Sequence, residues 1–418
     1  MGPATVTPAD ELARWATEFD PSDDDLALAR RSLLDTIAVM LAARTHPLRE
    51  VFGQLSEAGQ WSALAHVLDY DDLHLPSTTH ISAVCVPVAL ASSAGDSERA
   101  YLAGAGVMAR LGTALGWRHY RAGWHATCTA GAPAAAVTAA IARGLDAGAT
   151  ARAIALAVPA AGGVQRAFGT AAKSLQVAFA AEAGVRAAAL AEAGASADPG
   201  ALADWMALVG GDADGIVGGE ADSVGGDTYG IAGGGPAVPD GLAIKPFPCC
   251  YALQRPIAAI ATLEPMPAQR TIRRIAVRTP ACSLTPLIHR APRTGLEGKF
   301  SLEYGIAAAL LDGRPGFASF TDEAVRRPDA VRLGSAVEVA ATGNGDHLLA
   351  GDIEIEIELE DGRRMRATLT LPPGAPERPV TDGELQAKLE LCTGPAAGRL
   401  AELSWESAPR FLRAELAD

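Results

Sequence analysis

Residues 352–371, DIEIEIELEDGRRMRATLTL, alternate Ile353, Ile355, Ile357 and Leu359 with acidic side chains. Asp361-Gly362 follows, and Met365, Ala367, Leu369 and Leu371 alternate on the way back. Successive side chains of a strand point to opposite faces, so this pattern predicts a β-hairpin with one buried face. TIRRIAVRT (271–279), with its β-branched residues and alternation, predicts another strand. Between the two, SLEYGIAAALLDG (301–313) reads as a helix ending at Gly313. These elements predict a small α+β domain spanning residues 244–379.

Upstream the pattern is helical. Ser22 is a good N-cap, and Asp23, Asp24 and Asp25 place carboxylates at the positive end of a helix dipole. Leu33, Ile37, Met40 and Leu41 then recur at helical spacing. Further helices are expected at about 82–95, 97–115, 132–146, 150–162 and 174–194. Several are Ala-rich and apolar nearly all round, which places them inside a helical domain. Helical patterns return at about 382–391 and 396–404. The expected fold is therefore mainly α: a large all-helical domain over 1–243, rejoined by 380–418, plus a smaller α+β lid domain.

Between 195 and 244 the chain turns rich in Gly, Asp and Pro. GGDADGIVGGEAD could be a calcium-binding nonapeptide repeat or part of an interdomain loop. A repeat coil needs several stacked copies and there is one imperfect copy, so the loop is expected. Its glycines do not open a helix after a strand, which excludes a dinucleotide fingerprint.

The formal charge of −14 is opposite in sign to that of most nucleic-acid binders. No apolar run reaches the roughly 18–20 residues needed to span a bilayer. The opening MGPATVTPADELARW predicts neither a secretory leader nor myristoylation. Six cysteines without zinc-type spacing fit a reducing compartment, and a cytoplasmic location is expected.

Four segments place titratable residues in apolar surroundings: LDYDDLHLPSTTHIS, GWHATCTAG, FGTAAKSLQ and AIKPFPCC. His80 and His125 each precede an expected helix, where the dipole keeps an imidazole neutral and able to accept a proton. A capping or core histidine would look the same. Asp69, Asp71 and Asp72 could hold Mg²⁺, or form a solvated turn with one Asp orienting a histidine. The solvated turn is the expectation. Lys173 and Lys245 taken singly would read as surface lysines. Ser82 and Ser174 lack a nucleophile elbow, and Cys128 reads as a small buried thiol.

In order and spacing these segments resemble the MmgE/PrpD family of 2-methylcitrate dehydratases and cis-aconitate decarboxylases. The resemblance runs through LLDTIAVMLAA, LDYDDLHLPSTTHISAVCVPVALA, GWHATCTAGAPAAAVTAA, KSLQVAFAAEAGVRAAALAEAG, IKPFPCC and KFSLEYGIAAALLDG, from about residue 26 to 372. It implies a helical domain with a lid, a homodimer, and an active site in the cleft, working without metal or cofactor on a small di- or tricarboxylate. Carried over, the catalytic set is Asp69, His80, His125, Lys173, Lys245 and Tyr304. The two lysines would neutralise substrate carboxylates, and His125 would move the proton at carbon. His80 or Tyr304 would serve the departing group, with Asp69 fixing the His80 tautomer. A hydro-lyase is expected; a decarboxylase, an iminodisuccinate-type epimerase and a non-catalytic binder are the alternatives. Leu73, Ile81, Ala126 and Gln176 depart from frequent family residues, and the Asp69–His80 segment is one residue longer than in the decarboxylases, which bears on the substrate more than on the reaction class.

Overall fold

Short polar side chains set the helix starts in the first half of the chain. In the computed structural model, which describes residues 6–92, 95–213, 216 and 235–417, Thr7 opens α1 (Pro8–Glu18) and Ser22 opens α2 (Asp23–Ala42). At Ser22 the expected cap is a reciprocal box: its Oγ accepts from Asp25 N at 3.2 Å, and the Asp25 carboxylate accepts from Ser22 N at 3.0 Å. There follow α3 (Glu57–Val67), α4 (Ser82–Ala91), α5 (Ser97–Arg121), α6 (Ala126–Ala142), α7 (Ala147–Ala157) and α8 (Ala171–Glu192). Helices α4 to α8 lie near their expected places, although α6 begins six residues before 132, carries Pro133 inside it and starts immediately after His125; α1 and α3 were not expected from the sequence.

Every residue of α6 is buried, so it forms the axis of the helical layer, with α5 and α8 packed against it. Small residues permit the close approach. A Cβ added to Gly184 of α8 would lie 2.5 Å from the backbone of Ala135 and Ala136 on α6.

The second half centres on a four-stranded sheet in the order β2-β1-β3-β4, formed by β1 (Ile272–Thr279), β2 (Val337–Ala341), β3 (Ile353–Leu359) and β4 (Arg364–Leu369). The hairpin register sets Ile355 opposite Ala367 and Ile357 opposite Met365. Ile353, Ile355, Ile357 and Leu359 are all buried, under α9 (Tyr251–Ile260), which also packs on α10 (Leu302–Asp312). Strand β2 runs parallel to β1 at the sheet edge. It was not expected from the sequence: four of its five residues are exposed, so VEVAA carries no in–out alternation.

Two apolar cores result. Helix α11 (Asp382–Thr393) and the segments after it return Leu385, Leu389, Leu400 and Leu412 to the helical core. Leu73 and Phe168, which precede the sheet half in sequence, pack instead in the core that holds Phe247, Phe300 and the strands. The halves therefore interlock where the acidic turn and the start of α8 meet the sheet half. Among the described residues no helix is long and apolar enough to cross a membrane. The glycine-rich stretch expected as an interdomain loop, and its calcium-repeat alternative, fall mostly outside the described residues.

Candidate active site

The site is built on the turn after α3. Asp69 adopts φ 52, in the left-handed region that few non-glycine residues enter. Leu73 then pairs with Ala243 through two backbone hydrogen bonds of 2.9 and 2.8 Å. This short bridge places Lys245, two residues beyond Ala243, against Asp69. A second small bridge, His74 to Thr79, turns the chain so that His80 faces back toward α3.

The expectation of a solvated acidic turn is corrected here: Asp69, Asp71 and Asp72 are only 2, 1 and 2% exposed. Burial is tolerated because each carboxylate finds partners. Asp69 pairs with Lys245 through Oδ1, and its Oδ2 lies 3.4 Å from Lys173 Nζ. Asp71 Oδ2 lies 2.6 Å from His66 Nδ1 and 3.1 Å from His80 Nδ1. Asp72 accepts from the Ser82 hydroxyl and, at 3.2 Å, from Ser82 N.

Lys173 lies in the first turn of α8, after the Thr170 cap. Its Nζ is 2.5 Å from His66 Nε2 and 5.4 Å from the ring centres of Phe168 and Phe300. His125 is the N-cap residue of α6, held by its own N–H to Gly163 O at 3.0 Å. Its Nδ1 lies 3.3 Å from Gln176 Oε1, and its buried Nε2 has no hydrogen-bond partner. The His66 ring stacks on His125 at 5.7 Å and meets His80 edge-on at 4.8 Å.

Electrostatics divide the cluster into charged and neutral groups. Burial alone would raise Asp69 and Asp71. Lys173 and Lys245 overcome this for Asp69, as His66, which donates from Nδ1, and Lys245 do for Asp71, so both stay well below the usual carboxylate range. Burial would also discharge Lys245, but Asp69 and Asp71 hold it above its ordinary value. The imidazoles go the other way. Burial pulls His80 down to about 4 despite Asp71. Burial, then Lys173, hold His125 well below its ordinary value, and His66 is lowered by burial too. Neutral imidazoles thus stand among fixed ions.

The hydrogen-bond partners assign the tautomers. Ionised Asp71 only accepts, so His66 carries its proton on Nδ1, and the same anion 3.1 Å from His80 Nδ1 favours that tautomer there too. Around His125 Nδ1 stand Cys128 Sγ at 3.1 Å and Gln176 Oε1 at 3.3 Å; the latter already accepts from Val164 N at 3.0 Å and, as an acceptor only, favours Nδ1–H there. Nε2 of each imidazole is consequently a proton acceptor. His80, His125, Lys173, Thr127 and Phe168 line a cavity of about 20 Å³, enough for a water-sized group. A larger cavity, about 260 Å³, lies beyond Tyr70 and Lys245 and is lined by Arg314 and Arg378; no histidine reaches it.

His66, Asp71 and His80 place one ligand atom each within 4.8 Å of one another and are the described residues best able to hold a divalent ion. Asp71 already accepts the Nδ1 proton of His66. Lys173 Nζ at 2.5 Å from His66 and Lys245 Nζ at 3.9 Å from Asp71 would repel a cation.

Of the six site residues named from the sequence, Asp69, His80, His125, Lys173 and Lys245 are brought together. Tyr304 is not: its hydroxyl donates to Ser319 O, its ring packs on Phe320, and it lines neither cavity. Two roles also change. Asp71, rather than Asp69, contacts His80. Lys245 is fully buried and bonded to Asp69 through both Oδ1 and the peptide oxygen, so it organises the turn and does not line the cavity shared by His80 and His125. His66 escaped the sequence reading because it ends an apolar helix, ALAHVL, where it looks like a core residue.

Comparison with protein families matches residues 56–209 to the MmgE/PrpD N-terminal domain and 247–407 to the MmgE/PrpD C-terminal domain. Among curated proteins the comparison found no match. The first matched domain supplies His66, the acidic turn, His80, His125 and Lys173, while the second supplies Phe300 across the cavity. With both domains matched in order along most of its length, the chain belongs to the MmgE/PrpD family.

Proposed function

We propose that the protein is a lyase that removes water from a 2-methylcitrate-like polycarboxylic acid, by proton transfer at a carbon next to a carboxylate. One observation carries this reading: a neutral, unpartnered imidazole nitrogen, His125 Nε2, shares a buried cavity with the Lys173 ammonium. A base must be neutral to take a proton, and a cation beside it stabilises the enolate-like charge that then develops. His125 Nε2 takes the carbon-bound proton, and the electron pair moves into a carbon–carbon double bond as the carbon–oxygen bond breaks. The departing hydroxide takes a proton from Lys173, leaving as water. Lys173 is recharged, and His125 discharged, before the next turnover. His66 and Asp71 stand behind Lys173 and keep its ammonium aimed.

A second reading draws on a specific feature. His80 Nε2 is also a bare acceptor on the same cavity, backed by Asp71 through Nδ1. Two neutral bases suit proton exchange at one carbon, as in an iminodisuccinate-type epimerase. Decarboxylation of a cis-aconitate-like acid would use the same cation without a leaving hydroxyl.

Proton NMR in D₂O with 2-methylcitrate, citrate, cis-aconitate and iminodisuccinate separates these reactions. An alkene product from a hydroxy acid supports the hydro-lyase, seen as a vinyl signal from citrate or as collapse of the methyl doublet to an allylic singlet from 2-methylcitrate. Deuterium exchange without an alkene product supports the epimerase, and carbon dioxide release from cis-aconitate supports the decarboxylase. Turnover unchanged in His125→Ala would remove His125 from the chemistry.

A further inference from the structure

Three successive peptide oxygens of the acidic turn each end on a buried lysine ammonium. Lys299 Nζ donates to Leu68 O at 2.8 Å, Lys245 Nζ to Asp69 O at 2.9 Å, and Lys388 Nζ to Tyr70 O at 2.8 Å. The three lysines are 3, 0 and 6% exposed. Lysine is almost never buried without a partner, so their convergence on one turn points to a common task.

Lys245 has the Asp69 carboxylate as its partner. Lys299 has no carboxylate at ion-pair distance among the described residues; its remaining contacts are Pro248 O at 2.6 Å and the face of Phe320 at 4.8 Å. Lys388 pairs with Asp35 at 2.6 Å and lies 4.1 Å above the Tyr70 ring. Neither Lys299 nor Lys388 lines the cavity shared by His80 and His125. Both instead grip the backbone on either side of Asp69, the one residue of the turn with a left-handed φ of 52. That conformation is strained for a residue with a Cβ and persists where its neighbours hold it.

We infer that Lys299 and Lys388 are positioning residues, which fix the peptide groups of Leu68 and Tyr70 so that Asp69 and Asp71 face the lysines and imidazoles of the site. Lys299 precedes α10 in the sheet half, and Lys388 lies on α11 against the helical core. The turn is thereby held from both cores at once. The importance of this for catalysis rests on the proposed function, but the grip itself is measurable without any substrate.

The test uses the full chain with Lys299→Met, Lys388→Met and the corresponding Gln variants, which keep an N–H donor. Hydrogen exchange is followed at the amides of Asp69 and Leu73, bonded to His66 O and Ala243 O. Histidine ¹⁵N spectra are recorded alongside, with His119, bonded to Thr129 at 2.9 Å, as internal control. In each Met variant, exchange at the two turn amides is expected to rise about tenfold or more while α6 and α8 keep their protection. His66 and His80 signals are expected to shift and His119 to stay. The Gln variants should recover most of the protection. Unchanged turn amides and imidazole signals in both Met variants would overturn the inference. So would a uniform rise across all helices, which would make the lysines supports of the fold only. A substrate panel that gives no turnover would defeat the proposed reaction and leave these readouts intact.

Discussion

The carboxylate of Asp71 accepts the Nδ1 proton of His66 at 2.6 Å, with both side chains fully shielded from solvent. That contact fixes the ring so that Nε2 points at the Lys173 ammonium. Asp71→Asn should remove the anion that holds both His66 and His80 in one tautomer and leave Lys245 short of a counter-charge. Loss of one member of such a buried pair is expected to cost about 3–5 kcal/mol in urea melts. Turnover should fall by about 10²–10⁴-fold, the range associated with losing a placed acid or base. A variant that melts and turns over like the parent would refute the arrangement.

Lys245→Met tests the other half of the network. Asp69 would keep only Lys173 at 3.4 Å, and its carboxyl should climb from its depressed value toward or above the ordinary range. The expected loss is again about 3–5 kcal/mol. Carboxyl ¹³C titration of Asp69 in a stabilising buffer reads the shift directly, and an unmoved Asp69 would contradict its dependence on Lys245.

Acid should destabilise the fold through its buried imidazoles. Burial holds His46, His74 and His80 at about 4, against 6.5 for the free side chain. Between these values the unfolded chain binds more protons, so stability falls as the pH drops from about 6.5 to about 4. For His80 alone the shift corresponds to about 3 kcal/mol. Asp72 acts in the opposite direction. Burial raises it from 3.8 to about 7, so within that window the folded state binds the extra proton and gains stability on acidification. Three imidazoles outweigh one carboxyl, and Asp72→Asn should steepen the acid loss. Denaturant melts at intervals from pH 4.5 to 8 would show it; a shallower slope in the variant would be the wrong sign.

The helical layer offers a purely steric test. Gly184→Ala would drive a methyl group into the α6 backbone at Ala135 and Ala136, where no flexible side chain can yield. Overpacking of this kind costs about 1–3 kcal/mol. Thermal melts should fall accordingly, while the same change at Gly398, which meets nothing within 4 Å, should leave them near the parent value.

What could be read in the sequence was local. The hairpin at 353–369 follows from strict alternation, and the capped helix from Ser22, because each pattern is set by neighbours a few residues away. Edge strand β2 was not legible, since an exposed edge has no buried face to impose alternation. Within the site, His125 was a candidate because it precedes a helix, whereas Lys173, which alone reads as a surface lysine, was named only through the family resemblance. The burial of three vicinal aspartates could not. It depends on lysines far off in sequence, and a run of acids looks identical whether or not cations await it. Tyr304 illustrates the converse: its helix motif was recognisable, but its hydroxyl turns to Ser319 O, a partner no spacing rule specifies.

The three-lysine grip on Leu68, Asp69 and Tyr70 also dictates an order of assembly. Its donors lie 231, 176 and 318 residues along the chain from the oxygens they hold. Helices α3 to α8 are near neighbours in sequence and can pack as the chain is made, because short loops close quickly. The acidic turn has no such shortcut, and its last tether arrives only when α11 has been synthesised and has docked. During synthesis, then, the helical layer can be intact while the site it will carry is still open, and the ability to do chemistry is the final property this fold acquires.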